Sequence, residues 1–299
     1  MITERDIAVL LALVRYYVLN RQQIQHLVFA NDPNGRVTRR RLQSLIEQSL
    51  INRQGTLFCH PSAGTAAPVY YPARKGCELL AEHFDDERYL LTPTQSPVPH
   101  HTFHWLAVSD THIALDEAVE LQNADHPKTN GDHADHRTAK IAGWVNEWDI
   151  VNKYESSPEK RFKLYTLIRE NPRLICAPDA AFLLTYREHS KVFYLEQDRN
   201  TSGVQQIASS KTQGYATMAE TGMHRRHFPE ATVDGFTVLM VAPTPRRRDA
   251  LRKALRGKPG AKLWRFASVD ELKPERALFQ AIWHGTDELP PGTLIKRDK

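Results

Sequence analysis

Two runs rich in aliphatic and aromatic residues, Ile175–Leu184 and Lys191–Asp198, lie on either side of the polar stretch Arg187-Glu188-His189-Ser190. Runs of this length and composition, separated by a short polar segment, predict two paired strands, so the second half of the chain is built around a β-hairpin. With the four polar residues as the loop, Tyr186 pairs with Lys191, and counting back sets Asp179 opposite Asp198, one diagonal step from Glu196. Glu196 and Asp198 share a strand face because side chains alternate with period 2. Three carboxylates then converge at one end of the hairpin. Like charges this close are costly unless something cationic compensates, and a hard divalent ion with oxygen ligands is the natural compensation.

The rest of this half supplies layers for a sheet. Phe236–Ala242 and Lys262–Ala267 read as buried strands, and the helix between them carries Arg246, Arg247, Arg248, Arg252, Lys253 and Arg256. His101–Leu121, Gln205 to about His224, and Val269–Trp283 read as helices. On the second of these, Lys211 and Tyr215 share a face at i, i+4. The apolar element Ala142–Trp148, which carries Glu147, is compatible with either strand or helix.

Thr92–Pro99, with three prolines, reads as an extended linker and divides the chain into domains at 1–91 and 100–299. The first domain opens with Thr3 as N-cap and Asp6 three residues on, and a second start signal follows at Asn20 with Gln23. A third helix, about Arg36 to Gln48, places Val37, Leu42 and Leu45 on one face and Arg36, Arg40 and Gln43 opposite, with Arg39 on the border and Arg41 leaning toward the apolar side. Thr56–Phe58 and Val69–Tyr71 follow as a hairpin-like pair, then a helix near Lys75–Phe84. Three short helices, the third basic, followed by a two-stranded wing, is the order of a winged helix-turn-helix. Its third helix would enter the major groove of double-stranded DNA through Arg36, Arg39, Arg40 and Gln43.

Charge distribution agrees with this reading. Residues 1–75 carry +6 and residues 244–265 carry +8, against +5 for all 299 residues, so the remainder is net acidic. That pattern suits local phosphate contact, with Arg246, Arg247 and Arg248 as further DNA contacts, together with a separate cation site. The longest apolar run, Ile7–Val14, is far short of the roughly 18 to 20 residues that span a bilayer, and mean hydropathy is −0.51, which excludes a membrane-spanning helix. Glu4 and Asp6 precede that run, the reverse of a basic signal-peptide start, and Cys59, Cys77 and Cys176 form neither a disulfide framework nor a Cys-x-x-Cys site. A reducing cytoplasm is the expected location. His126, Asp132, His133, Asp135 and His136 match no zinc spacing and read as a polar loop.

At this point the chain resembles a known family. Pro178-Asp179, a hydrophobic strand ending in Glu196-Gln197-Asp198, and a helix carrying Lys211 are similar to the PD-(D/E)XK restriction-endonuclease-like fold. With the winged helix in front, and with Trp144-Val-Asn-Glu147, Pro178-Asp179-Ala180, Leu195-Glu196-Gln-Asp198 and Lys211-x-x-x-Tyr215 in order, residues 3 to 245 resemble the replication-relaxation family, related to MobC-type conjugative relaxases. The resemblance implies an α+β chain, a winged helix-turn-helix followed by a restriction-endonuclease-like mixed sheet flanked by helices. It implies a role in plasmid replication or DNA mobilisation, with Mg²⁺ or Mn²⁺ as cofactor and a second copy, relaxosome proteins or replication proteins as partners.

Carried over by residue, Asp179 and Glu196 would bind metal, with Glu147 and Asp198 as further acids. The motif lysine belongs two residues after the second acid, where this chain has Asp198, so Lys211 would supply the ammonium from the next helix. Tyr215 would be the nucleophile if a covalent DNA link forms. Asp198 at the lysine position keeps a second reading open: a non-catalytic winged-helix regulator or replication accessory whose nuclease-like domain has lost activity.

Overall fold

The computed structural model of the chain describes residues 2–55, 59–60, 64–65, 67–124, 138–152 and 154–296, which form two compact units, Met1–His112 and Ile113–Lys299. Thr56–Phe58 and the histidine-containing stretch with His126, Asp132, His133, Asp135 and His136 lie outside the described residues.

The first unit runs α1 (Glu4–Tyr16), β1 (Leu19–Asn20), α2 (Arg21–Val28), α3 (Arg36–Glu47), β2 (Ile51–Gln54), β3 (Cys59–His60), β4 (Gly64–Thr65), β5 (Val69–Pro72), α4 (Arg74–Phe84) and the start of α5 (Pro99–Ala124). Both predicted helix starts form full capping boxes. The Thr3 N–H donates to Asp6 Oδ2 at 2.8 Å, and the Asn20 N–H donates to Gln23 Oε1 at 2.8 Å, so each cap closes in both directions. Asp32 starts α3, its carboxylate accepting the Arg36 N–H at 3.1 Å and the Thr38 N–H at 2.8 Å. Asp6 is fully buried, and Arg41 of α3 reaches across to pair with it. Arg41 is therefore part of the scaffold, while Arg36, Arg39 and Arg40 on the same helix remain exposed. β5 is the centre of a three-stranded antiparallel sheet in the order β1-β5-β2, and β3 pairs with β4.

The second unit continues with β6 (Ala139–Asn146), α6 (Pro158–Arg161), β7 (Thr166–Arg169), β8 (Leu174–Cys176), β9 (Ala180–Tyr186), β10 (His189–Gln197), α7 (Val204–Thr221), β11 (Phe236–Ala242), α8 (Pro245–Leu255), β12 (Trp264–Ser268) and α9 (Pro274–Ala277). Its main sheet has the order β12-β11-β10-β9-β6 and is mixed: β10, β11 and β12 are parallel, β9 runs antiparallel to both its neighbours. β10 and β11 are buried on both faces, which their near-continuous apolar sequence requires. Val192, Tyr194, Val238, Met240 and Phe266 pack with Tyr215 and Met218 of α7 and with Leu251 and Leu255 of α8. Trp144, Phe182 and Phe193 stack in a row across β6, β9 and β10, with centroid spacings of 5.2 and 5.4 Å. The element that the sequence left open between strand and helix is thus the edge strand β6.

Two expectations are corrected. The hairpin loop is two residues, Arg187 and Glu188, with Arg187 at φ +56°, because Tyr186 pairs with His189. Every partner on the strand shifts accordingly, and Asp179 comes beside Glu196 instead of Asp198. The helix expected over Val269–Trp283 is confined to α9. Beyond it the chain is drawn out along the sheet edge, where Phe266 bridges His284 and Trp283 bridges Gly292. No helix among the described residues is long and apolar enough to cross a membrane.

Candidate functional site

Asp179 stands immediately before β9 and is fixed by β10 in two ways. Its N–H donates to the Leu195 carbonyl at 3.1 Å, and its Oδ2 accepts the Gln197 N–H at 2.7 Å. Its own carbonyl accepts the Glu147 N–H at 3.0 Å, which ties the residue following β6 to the same point. A carboxylate oxygen of Glu147 lies within 4.8 Å of one of Asp179. Three separate strands, β6, β9 and β10, therefore deliver Glu147, Asp179 and Glu196 to one end of the sheet.

Glu196 alternates onto the strand face that α7 covers and is buried, with 2 % of its surface exposed. Lys211 Nζ pairs with Glu196 Oε2 and lies 3.7 Å from Asp179 Oδ1, while the Tyr215 hydroxyl donates to Glu196 Oε1 at 2.6 Å. The expected i, i+4 face of α7 is thus the face that meets the acids. Burial pushes the Glu196 carboxyl up to about 7; Lys211 works against that shift and Asp179 adds to it. Burial alone would lower the Lys211 ammonium, but the Asp179 and Glu196 carboxylates outweigh it and hold the group above its ordinary range. Tyr215 is held well above the usual phenol range, first by burial and then by the Glu196 charge, so it serves as a donor.

One residue essential to this geometry had gone unnoticed in the sequence. A Cβ on Gly214 would stand 2.7 Å from the Ile175 carbonyl oxygen, so α7 approaches β8 at a distance that only glycine permits. Its sequence signal is a glycine inside an otherwise helical pattern, one residue before Tyr215. The same approach sets Cys176, whose Cβ would lie 3.5 Å from a Cβ on Gly214, in the core cluster that holds Tyr215.

Asp198 faces elsewhere. Arg247 Nε donates to its Oδ2 at 2.8 Å and Arg247 Nη2 to its Oδ1 at 3.1 Å, a bidentate pair that occupies both oxygens. Asp198, expected among the metal ligands, is a partner of α8. Arg247 and Arg248, expected as DNA contacts, are engaged inside the fold: Arg248 is buried and pairs with Glu271 and Asp249. Arg246 remains exposed. On α3, Arg36, Arg39, Arg40 and Gln43 are all exposed, with Arg39 Nη2 donating to the Asn34 carbonyl at 3.1 Å and Gln43 to Glu47 at 2.9 Å.

This acidic end of the sheet, where Glu147 and Asp179 bring carboxylate oxygens within 4.8 Å of each other and Lys211 links Asp179 to Glu196, offers oxygen donors of the kind a hard divalent ion takes. It sits beside an ammonium able to stabilise charge developing at a phosphoryl centre. No curated protein and no solved structure matches the chain. The family model described as replication-relaxation matches residues 10–231, well over half of the sequence. The chain belongs to the replication-relaxation family.

Proposed function

We propose that the protein is a DNA-processing factor of plasmid replication or mobilisation. In this reading the first unit is a winged helix that docks double-stranded DNA, and the second is a PD-(D/E)XK nuclease-like domain, akin to the MobC-type relaxases, that nicks it. The observation that carries the reading is the meeting of Asp179, Glu196 and Lys211, with Glu147 adjacent, at the end of the β9–β10 hairpin. Glu147, Asp179 and Glu196 would hold Mg²⁺ or Mn²⁺. The bound ion would supply Lewis acidity toward a phosphodiester oxygen and a more acidic water. Lys211 keeps its proton at neutral pH and places a fixed positive charge at the site. Asp179, tied to two backbone positions of β10, cannot swing away. Arg36, Arg39, Arg40 and Gln43 would read or grip the duplex from α3, and Arg246 would add a phosphate contact. A second copy of the chain, or relaxosome or replication proteins, would complete the assembly.

The test is conversion of supercoiled plasmids bearing candidate origins, with Mg²⁺ or Mn²⁺, by the parent, Asp179→Ala and Glu196→Ala proteins. The parent should yield open circles and both variants should lose that activity. Equal conversion by all three, or none by the parent across the candidate origins, overturns the enzymatic reading. Docking is checked separately by gel shift. Arg36→Ala/Arg40→Ala should bind duplex DNA more weakly, with the log–log salt slope reduced by about two, since each phosphate contact contributes about 0.9. Unchanged affinity and slope would remove α3 from the interface.

One observation favours the non-catalytic alternative. Both Glu196 oxygens are engaged by Lys211 and Tyr215, an arrangement that a domain retained only for folding or partner binding would also keep. The plasmid assay decides between the two.

A further inference from the structure

The structure assigns Tyr215 as a positioning residue for Glu196, and not as a nucleophile. The assignment rests on the reading of Glu147, Asp179 and Glu196 as a divalent-cation site. Tyr215 is 1 % exposed, and its ring is enclosed by Tyr194, Phe236 and Trp264 at centroid distances of 5.8, 6.1 and 5.2 Å. A phosphodiester has no path to an oxygen placed there. That oxygen donates to Glu196 Oε1 at 2.6 Å.

Glu196 needs such a tie. Its carboxylate shares a strand face with the buried Val192, Tyr194, Val238 and Met240, so an oxygen left there without a hydrogen bond would be costly. A glutamate has several rotatable bonds, and packing against aliphatic neighbours does not choose among its carboxylate orientations. The phenol fixes Oε1 from the interior side and thereby turns Oε2 toward Lys211 and Asp179. The order inward from the site is Asp179, Lys211, Glu196, Tyr215. This is the role that outer hydrogen-bond partners of metal-binding carboxylates play elsewhere, where their loss typically weakens metal binding about 10- to 100-fold.

The experiment measures Mn²⁺ binding to the full chain without DNA, by calorimetry and by the loss of free-ion paramagnetic resonance signal, for the parent, Tyr215→Phe and Tyr194→Phe. Tyr194 is the control: its ring packs against Tyr215, but its hydroxyl pairs with His227 Nδ1 at 2.7 Å and does not touch Glu196. Tyr215→Phe should bind Mn²⁺ at least about tenfold more weakly, and its nicking should recover when Mn²⁺ is raised to saturation. Tyr194→Phe should lower thermal stability while leaving the Mn²⁺ affinity at the parent value. Parent-like affinity in Tyr215→Phe, or equal weakening in Tyr194→Phe, overturns the assignment. Absence of Mn²⁺ binding by the parent itself overturns the cation site, and the positioning role with it; covalent tyrosyl-DNA capture by the parent that Tyr215→Phe abolishes would make Tyr215 the nucleophile after all.

Discussion

Lys211→Met is expected to slow plasmid nicking severely and to destabilise the second unit in a manner that grows with pH. The side chain neutralises two acids, pairing with Glu196 and lying 3.7 Å from Asp179. Its removal leaves Glu196 buried, with the Tyr215 hydroxyl donating to it and the like-charged Asp179 still beside it. Breaking a buried pair costs about 3–5 kcal/mol, and the lower figure applies because a third of the Lys211 side chain is exposed to solvent. The sign with pH follows from Glu196. A carboxyl raised in the folded state to about 7 from an ordinary 4.5 keeps its proton after the unfolded chain has released it. Stability is therefore lost as pH rises through that window, by up to about 1.4 kcal/mol for each pH unit. In the parent this loss ends near 7; without the ammonium it extends further. The gap between parent and variant should be smallest near pH 5 and largest above pH 7, as read by urea unfolding at several pH values. A gap independent of pH would show that Lys211 does not compensate Glu196. Nicking should fall about 10²- to 10³-fold even where the protein remains folded, since one preorganised charge donor is missing.

The parts of this arrangement that local sequence rules govern were legible in advance. Both capping boxes, Thr3 with Asp6 and Asn20 with Gln23, satisfy backbone donors within three residues, so nothing distant can override them. The Lys211–Tyr215 face depends only on helical period, and in the structure it is this face that meets Glu196. What was not legible depends on residues far apart or on an unmarked turn. The two-residue turn at Arg187-Glu188 lacks the Gly, Asn or Asp that usually marks a positive φ, so a longer loop was the natural expectation and the register moved with it. Asp198 looked equivalent to Glu196 because strand alternation puts them on one face. Its actual partner, Arg247, is 49 residues away and reaches it only because β10 and β11 run parallel, with α8 following β11. The same cause removed Arg248 from the exposed basic set: a charge run at helical spacing does not reveal which of its members will find Glu271.

Gly214→Ala should separate the fold from the site more sharply than any change to an acid. The added methyl would lie 2.7 Å from the Ile175 carbonyl oxygen, a backbone atom that cannot rotate aside, so α7 must move away from β8. In an exposed helix this substitution would stabilise, because alanine is the better helix former by about 0.8–1.0 kcal/mol. Here overpacking opposes that gain, and a net loss of about 1–3 kcal/mol is expected in chemical denaturation. The displaced helix carries Lys211 and Tyr215, three residues before and one residue after the substitution, and both contacts to Glu196 depend on its position. A misplacement of about 1 Å at such a site costs on the order of 10²-fold in rate. Nicking should therefore drop by about that factor, while DNA affinity, which the proposed docking assigns to α3, stays at the parent level. A variant that is more stable than the parent, or that nicks at the parental rate, would mean that α7 has slack at this contact, and Lys211 and Tyr215 would then owe their placement to the aromatic packing around Trp264 and Phe236 instead.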